Sequence, residues 1–357
     1  MIGSWHAKVL TEIDGGELAC VIDTERSRAD SLATQYSTKA FYSLADALVA
    51  ADFDAVAVCV PSGKHADIAV QAIRAGKHVV VEKPVEVTLE ATDRIIAAQR
   101  EAASKVTVIS QHRFDESSRI VMDAVKSGHL GKITSGIATA SWWRGQSYYD
   151  SGEWRGTWAL DGGGALMNQS IHTLDLLIAF MGRPVEAFAY TDCLAHERIE
   201  VEDTVAATVR FDSGALGVVH ATTAAFPGVA SRIQVHGDKG SAIIENDRLI
   251  YIHTSSGERG ESFFGSRGQD ANQVSQYEQE GEDGPVAGSD PRMLSNAHHR
   301  QYENFFNALS GREEILVGPE EGRLAVAVIL AIYESARTGK PVAIPSDSQG
   351  ASRATLS

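Results

Sequence analysis

Apolar and polar positions follow two different periods along this chain, and the change of period divides it. Over the first third, short apolar runs occur at Leu18 to Ile22, Ala55 to Val60, Val79 to Val81 and Val106 to Ile109. Unbroken runs of this length read as strands buried on both faces. Between them lie Arg26 to Tyr36, Ser43 to Ala51, His65 to Ala75 and Thr88 to Ala102, which read as helices. In the third of these, Ile68, Ala69, Ala72 and Ile73 fall on one face, and Gly76 stops it. Strands alternating with such helices predict βαβ units and a parallel sheet. Met1 to Leu10 reads as the first turns of another helix.

After Gln111-His112-Arg113-Phe114 the texture changes. A helix over Ser117 to Lys126 is followed by strand-like runs. These are Ile133 to Trp143, Val185 to Thr191, Val205 to Phe211, Ala215 to Thr222, Ser231 to His236, Ala242 to Glu245 and Leu249 to His253. Asp212-Ser213-Gly214 is a hairpin turn. The pattern predicts an α+β domain with a mostly antiparallel sheet, interrupted by a helix at Ile171 to Phe180. Gln301 to Leu309 and Glu321 to Thr338 read as closing helices. Residues 255–290 are rich in Gly, Ser, Glu and Gln without apolar period, as in a functional loop or a loosely packed one. The expected division is 1–112, 113–345 and a polar tail at 346–357.

The bulk numbers add exclusions. A chain of 357 residues suits two domains. Its net charge of −15 speaks against nucleic acid and anionic membrane surfaces as partners. Cys20, Cys59 and Cys193 have neither disulfide nor metal-knuckle spacing, which fits a reducing, cytoplasmic compartment. No secretory signal is visible, and the longest apolar candidate, Leu324 to Tyr333, is too short for a membrane span.

Candidate chemistry gathers in three places. Glu82-Lys83-Pro84 follows the valine strand, and in an open α/β sheet ligands bind at the carboxyl ends of strands. Lys83 there is either a substrate-reaching group on a stiffened stub or part of an ordinary polar turn. Asp23 closes the strand after Leu18, about twenty residues beyond Gly3. That is the spacing of a dinucleotide fingerprint's last glycine and its ribose-binding acid, but it also suits a helix N-cap. The third place runs from Trp154-Arg155 through Gly162-Gly163-Gly164 to Asp175. The glycines let the backbone pass close to a ring or another segment. Asn168 and His172, four apart, would share one helix face, and Asp175 could orient the histidine ring. Arg144 and Arg155 suit a carboxylate or phosphate, or surface ion pairs. Trp142, Trp143, Trp154 and Trp158 suit sugar stacking or plain packing.

Together these residues resemble the glucose–fructose oxidoreductase / inositol dehydrogenase family (Gfo/Idh/MocA). The resemblance is carried by Cys59-Val60-Pro61-Ser62 with His65, by Ala75-Gly76-Lys77-His78 running into Glu82-Lys83-Pro84, and by Gly162-Gly163-Gly164 with His172 and Asp175. It implies an α/β Rossmann domain followed by the α+β domain, whose mostly antiparallel sheet would be open. It also implies hydride transfer between a nicotinamide cofactor and a hydroxyl-bearing carbon of a sugar, polyol or nucleotide-sugar. NAD is the expected cofactor, because Asp23 would repel the 2′-phosphate of NADP, though Arg26 and Arg28 leave NADP open. Lys83 and His172 match the catalytic lysine and histidine. Gly3, Asp23, Pro61, Ser62, His65, Glu82 and Lys83 are the expected cofactor contacts. Asn168, Arg155 and Trp154 are the expected substrate contacts, and no metal is expected.

Two departures stand out. Many members carry an aspartate where this chain has Asn168, and an amide cannot take a proton. Members that oxidise nucleotide-linked sugar acids look similar here. The family's first strand and first two fingerprint glycines are also absent: either Met1 is an internal methionine of a longer natural chain, or the protein has lost strong cofactor binding. The alternative function is a non-catalytic binding or regulatory protein on the same fold, and a lyase using the cofactor transiently is a third. An open sheet with an apolar face implies a homodimer or homotetramer.

Overall fold

The structure is a computed structural model that describes residues 2–255, 271–277 and 296–345. The chain forms two compact units, Met1–Ile109 with His298–Arg323, and Ser110–Ala297 with Leu324–Ser357.

Unit 1 opens with α1 (Ile2–Glu12). Its strands are β1 (Cys20–Ile22), β2 (Lys39–Phe41), β3 (Ala55–Val58), β4 (His78–Val81) and β5 (Val106–Val108). Between them run α2 (Arg26–Gln35), α3 (Leu44–Ala50), α4 (His65–Arg74) and α5 (Leu89–Glu101). Ser43 and Thr88 cap α3 and α5 by accepting the N–H of Asp46 and Ala91. All strand pairs are parallel, as expected: β1 with β2, and β3, β4, β5 in that order. Among the described residues no strand joins the first pair to β3.

β4 is the middle of its sheet, and Val79, Val80 and Val81 are 0%, 2% and 0% exposed. Full burial of such a side chain contributes roughly 1.5–3 kcal/mol. Val80 packs with Val9 and Ile13 of α1, with Ile109, and with Tyr302 and Phe305 of the returning helix α9 (Ala297–Leu309). β2 escaped the sequence reading because three residues without an apolar run carry no period.

Unit 2 contains α6 (Glu116–Lys126), α7 (Gln146–Tyr149), α8 (Ile171–Met181) and most of α10 (Pro319–Thr338). Its strands are β6 (Ile133–Ser141), β7 (Pro184–Asp192), β8 (Thr204–Phe211) and β9 (Leu216–Thr222). They continue with β10 (Ser231–Gly237), β11 (Ser241–Glu245), β12 (Arg248–His253) and β13 (Val342–Ala343). They form one sheet in the order β12-β11-β10-β6-β9-β8-β7-β13. Only β6 and β9 pair in parallel; the other neighbours are antiparallel. α8 lies on β6, where a side chain in place of Gly136 would overlap Met181 and Leu177. Along β8, Val205, Ala207, Val209 and Phe211 are buried while Ala206, Thr208 and Arg210 are exposed. That alternation marks one covered and one open face. No helix among the described residues is long and apolar enough to cross a membrane. The 255–290 stretch and the tail at 346–357 lie mostly or wholly outside the described residues.

Candidate active site

In unit 1, Lys83 stands two residues past the end of β4, and its backbone is fixed on both sides. One oxygen of the buried Glu82 carboxylate accepts the N–H of Lys83 at 2.9 Å. The other lies 2.8 Å from Nε2 of His6, whose Nδ1 is 2.6 Å from the Tyr302 hydroxyl. Beyond Lys83, the Pro84 carbonyl faces Nδ1 of His65 at 2.8 Å, and Nε2 of His65 faces the Val60 carbonyl at 2.9 Å. The Lys83–Pro84 peptide is cis.

Electrostatics reinforce this arrangement. Burial alone would favour a neutral His6 ring, but Cys59, Tyr302 and the Glu82 carboxylate outweigh it and raise its pKa well above the ordinary value. Burial alone would raise Glu82; the bond and charge of His6, with Lys83 and His298, instead bring it down to about 2. The pair is therefore ionic. Glu82 and His65 were expected as cofactor contacts. Their side chains hydrogen-bond within unit 1 on either side of Lys83.

Asp23 closes β1. One of its oxygens accepts the N–H of Glu25 at 2.9 Å, and Glu25, not Asp23, is the N-cap of α2. The second oxygen of Asp23 has no partner among the described residues. Gly3 lies in the first turn of α1, where an added Cβ would sit 3.7 Å from Cβ of Cys59, an ordinary contact. Pro61 leads into a 3-10 turn, Ser62–Lys64, with Ser62 buried.

In unit 2, the Gly162-Gly163-Gly164 stretch is explained by close approach. A Cβ on Gly163 would overlap the Tyr333 hydroxyl, and one on Gly164 the Glu202 carbonyl. The buried Glu202 carboxylate accepts the N–H of Gly164 at 2.9 Å and of Leu166 at 2.8 Å, and the Tyr333 hydroxyl at 3.0 Å. Burial pushes its pKa up to about 7 against the pull of those N–H groups.

This anchors a π-helical turn, Ala165–Gln169, which carries Asn168. Here the structure departs from the expectation of one shared helix face. Ser170 (φ −102°, ψ 3°) breaks the backbone, and His172 belongs to a separate helix, α8. Asn168 donates to the buried Asp161 carboxylate and accepts from Nε2 of Gln169 at 2.6 Å. Gln169 also donates to the Tyr148 hydroxyl at 2.8 Å, and its oxygen accepts Nε and Nη2 of Arg144 at 3.1 and 2.7 Å. Arg155 donates to the same Tyr148 hydroxyl at 2.7 Å and lies over the rings of Trp154 and Tyr148. Trp154, Arg155 and Asn168 are thus brought together, through Tyr148, which the sequence reading missed. An aromatic side chain in α7 carried no signal of its own.

Asp175 does not serve as the expected orienter of His172. It makes a two-point pair with Arg113, at 2.7 and 2.6 Å, because an arginine fork matches a carboxylate edge. The neighbour of His172 is His112, with ring centres 5.1 Å apart and edge to face. His112 in turn sits 2.8 Å from Asp115 and 3.0 Å from Asp247. Burial opposes its charge, but Asp247 and Asp115 hold its pKa well above the usual value.

The NAD-binding Rossmann-fold profile of the Gfo/Idh/MocA oxidoreductase family matches residues 1–110, and the profile of its C-terminal alpha/beta domain matches residues 122–344. The WlbA dehydrogenase from Bordetella pertussis, solved with NADH and UDP-GlcNAcA, is 30% identical with a TM-score of 0.81, over 97% of this chain and 96% of that one. The myo-inositol 2-dehydrogenase of Thermotoga maritima is 28% identical over 74% of this chain and 78% of its own length. The 1,5-anhydro-D-fructose reductase of Ensifer adhaerens is 28% identical over 92% of both chains. Each of these relatives is an enzyme, and none favours the non-catalytic alternative. The chain belongs to the Gfo/Idh/MocA oxidoreductase family and is an NAD-dependent dehydrogenase acting on CH–OH groups.

Proposed function

We propose that this enzyme moves a hydride between NAD and a hydroxyl-bearing carbon of a sugar, polyol or nucleotide-linked sugar, with Lys83 and His172 as its catalytic residues. The observation that carries the reading is the bracing of Lys83. An ionic His6–Glu82 pair and a doubly engaged His65 hold the backbone on either side of one lysine at the carboxyl end of a buried strand. An ordinary polar turn needs no such support. Lys83 polarises the substrate oxygen, His172 accepts its proton, and Asn168 orients the sugar through its amide. NAD, when bound, supplies the two-electron acceptor. The open oxygen of Asp23 suits the ribose hydroxyls, and the first turn of α1 suits the pyrophosphate. Pro61 and Ser62 line the same rim of unit 1.

The finer assignments follow the same reading. Residues 1–112 serve the cofactor and 113–345 the substrate, apart from His298–Arg323, which return to unit 1. The exposed apolar side chains Tyr190, Leu216 and Val218 on the sheet of unit 2 support a homodimer or homotetramer. Three free cysteines support a cytoplasmic setting.

The test is NADH formation over a sugar and nucleotide-sugar panel. Lys83→Ala should cut kcat/KM far more than it weakens NADH affinity. His172→Ala should lower kcat by about 10²–10⁴-fold, with part recovered at high pH where hydroxide takes the proton. Wild-type turnover in His172→Ala would return that residue to a structural role.

A further inference from the structure

Two arginines of unit 2 carry positive charge that no carboxylate answers directly. Among the described residues neither Arg144 nor Arg155 forms an ion pair, in a chain whose net charge is −15. Their hydrogen bonds differ. Arg144 spends Nε and Nη2 on the Gln169 oxygen and Nη1 on the Trp143 carbonyl at 3.3 Å. Arg155 spends only Nη1, on the Tyr148 hydroxyl. Its guanidinium is held over Trp154 at 4.5 Å and Tyr148 at 4.4 Å, so its plane is set in advance. The Nε–Nη2 edge has no acceptor among the described residues. Tyr148 cannot turn away, since its oxygen also accepts Gln169. Asp161, the carboxylate of this network, has one oxygen on the Asn168 amide and the other on the N–H of Gly156 at 2.8 Å.

From this we infer that Arg155 is the receptor for a carboxylate on the substrate, so the enzyme acts on a sugar acid. The inference rests on the dehydrogenase reading above and narrows it. A carboxylate presents two oxygens at the spacing of the open guanidinium edge and brings the single negative charge the site lacks. A phosphate dianion would call for a second open cationic edge, and Arg144 has none. A neutral sugar would leave the fork desolvated and unmatched.

The experiment uses the full chain with NADH bound. Binding of UDP-GlcNAcA is compared with UDP-GlcNAc, which differs at C6 alone, and D-glucuronate with D-glucose and glucose 6-phosphate. Calorimetry is read separately from turnover. The acid should bind at least about 10-fold more tightly than its neutral partner in one pair or both, the size of a charge-assisted contact. Arg155→Gln should abolish that preference while leaving NADH binding unchanged. Arg155→Lys, which keeps the charge and loses the fork, should retain part of it and guards against a folding defect in the first variant. Equal binding of acid and neutral partners by wild type, including none for either, overturns the inference, as does a stronger preference for the 6-phosphate. Acid preference without NADH formation would instead leave the carboxylate site standing and remove the catalytic roles of Lys83 and His172.

Discussion

Nε2 of His6 lies 2.8 Å from a carboxylate oxygen of Glu82, and both side chains are buried. A buried pair of this kind is destabilising to break from one side, because the survivor is left as an uncompensated charge. His6→Ala is expected to cost about 3–5 kcal/mol in urea unfolding. His6→Ala combined with Glu82→Gln should cost less than the sum of the single losses. Additive losses would show that the two groups are not coupled. The Glu82 contribution should hold above about pH 4.5 and fade as the pH drops toward 2, since its folded pKa lies below the unfolded one.

Asp23 offers one free oxygen at the end of β1, and Arg26 nearby is stacked on the Tyr42 ring at 4.1 Å. Asp23→Ala is expected to weaken NAD binding more than NADP binding in a fluorescence titration. Equal losses would reduce Asp23 to its turn-forming bond with Glu25.

Asn168→Asp restores the residue many family members carry, but here the new carboxylate would meet the carboxylate of Asp161. Two such groups in contact cannot both ionise cheaply. The variant should match wild type in thermal stability at low pH and fall progressively below it as the pH rises. A constant offset at every pH would argue against a shared proton.

Glu202 has a folded pKa of about 7, above its unfolded value, so its contribution to stability is complete below about pH 4.5 and is lost as the pH rises through 7. The loss is on the order of 3 kcal/mol well above neutrality. Melting curves of wild type should therefore decline over that window relative to Glu202→Gln. Parallel profiles for the two proteins would mean that Glu202 stays ionised throughout.

The parts of this molecule that were legible are those written in local pattern. Val79 to Val81 announced a buried strand, and Glu82-Lys83-Pro84 marked its carboxyl end. The strand-like runs from Ile133 on, with the Asp212-Ser213-Gly214 turn, marked a mostly antiparallel sheet. What could not be read was contact across sequence distance. Nothing near His6 points to Glu82 or to Tyr302, and nothing near Asp175 points to Arg113. Spacing also misled. Asn168 and His172 are four residues apart, but a period says nothing of the break at Ser170. Glu202 was invisible for the same reason: its partners are backbone N–H groups, which every sequence contains.

The return of α9 to the first unit has a consequence for biosynthesis. Val80 and the His6–Glu82 pair are finished by Tyr302 and Phe305, residues translated after nearly all of the second unit. At ribosomal rates of about 5–20 residues per second, the segment between Ile109 and His298 occupies about 10–40 s. During that interval a nascent first unit exposes one apolar face and an ion pair without its hydroxyl partner. The nucleotide-binding unit is thus completed only after most of the second unit has been translated.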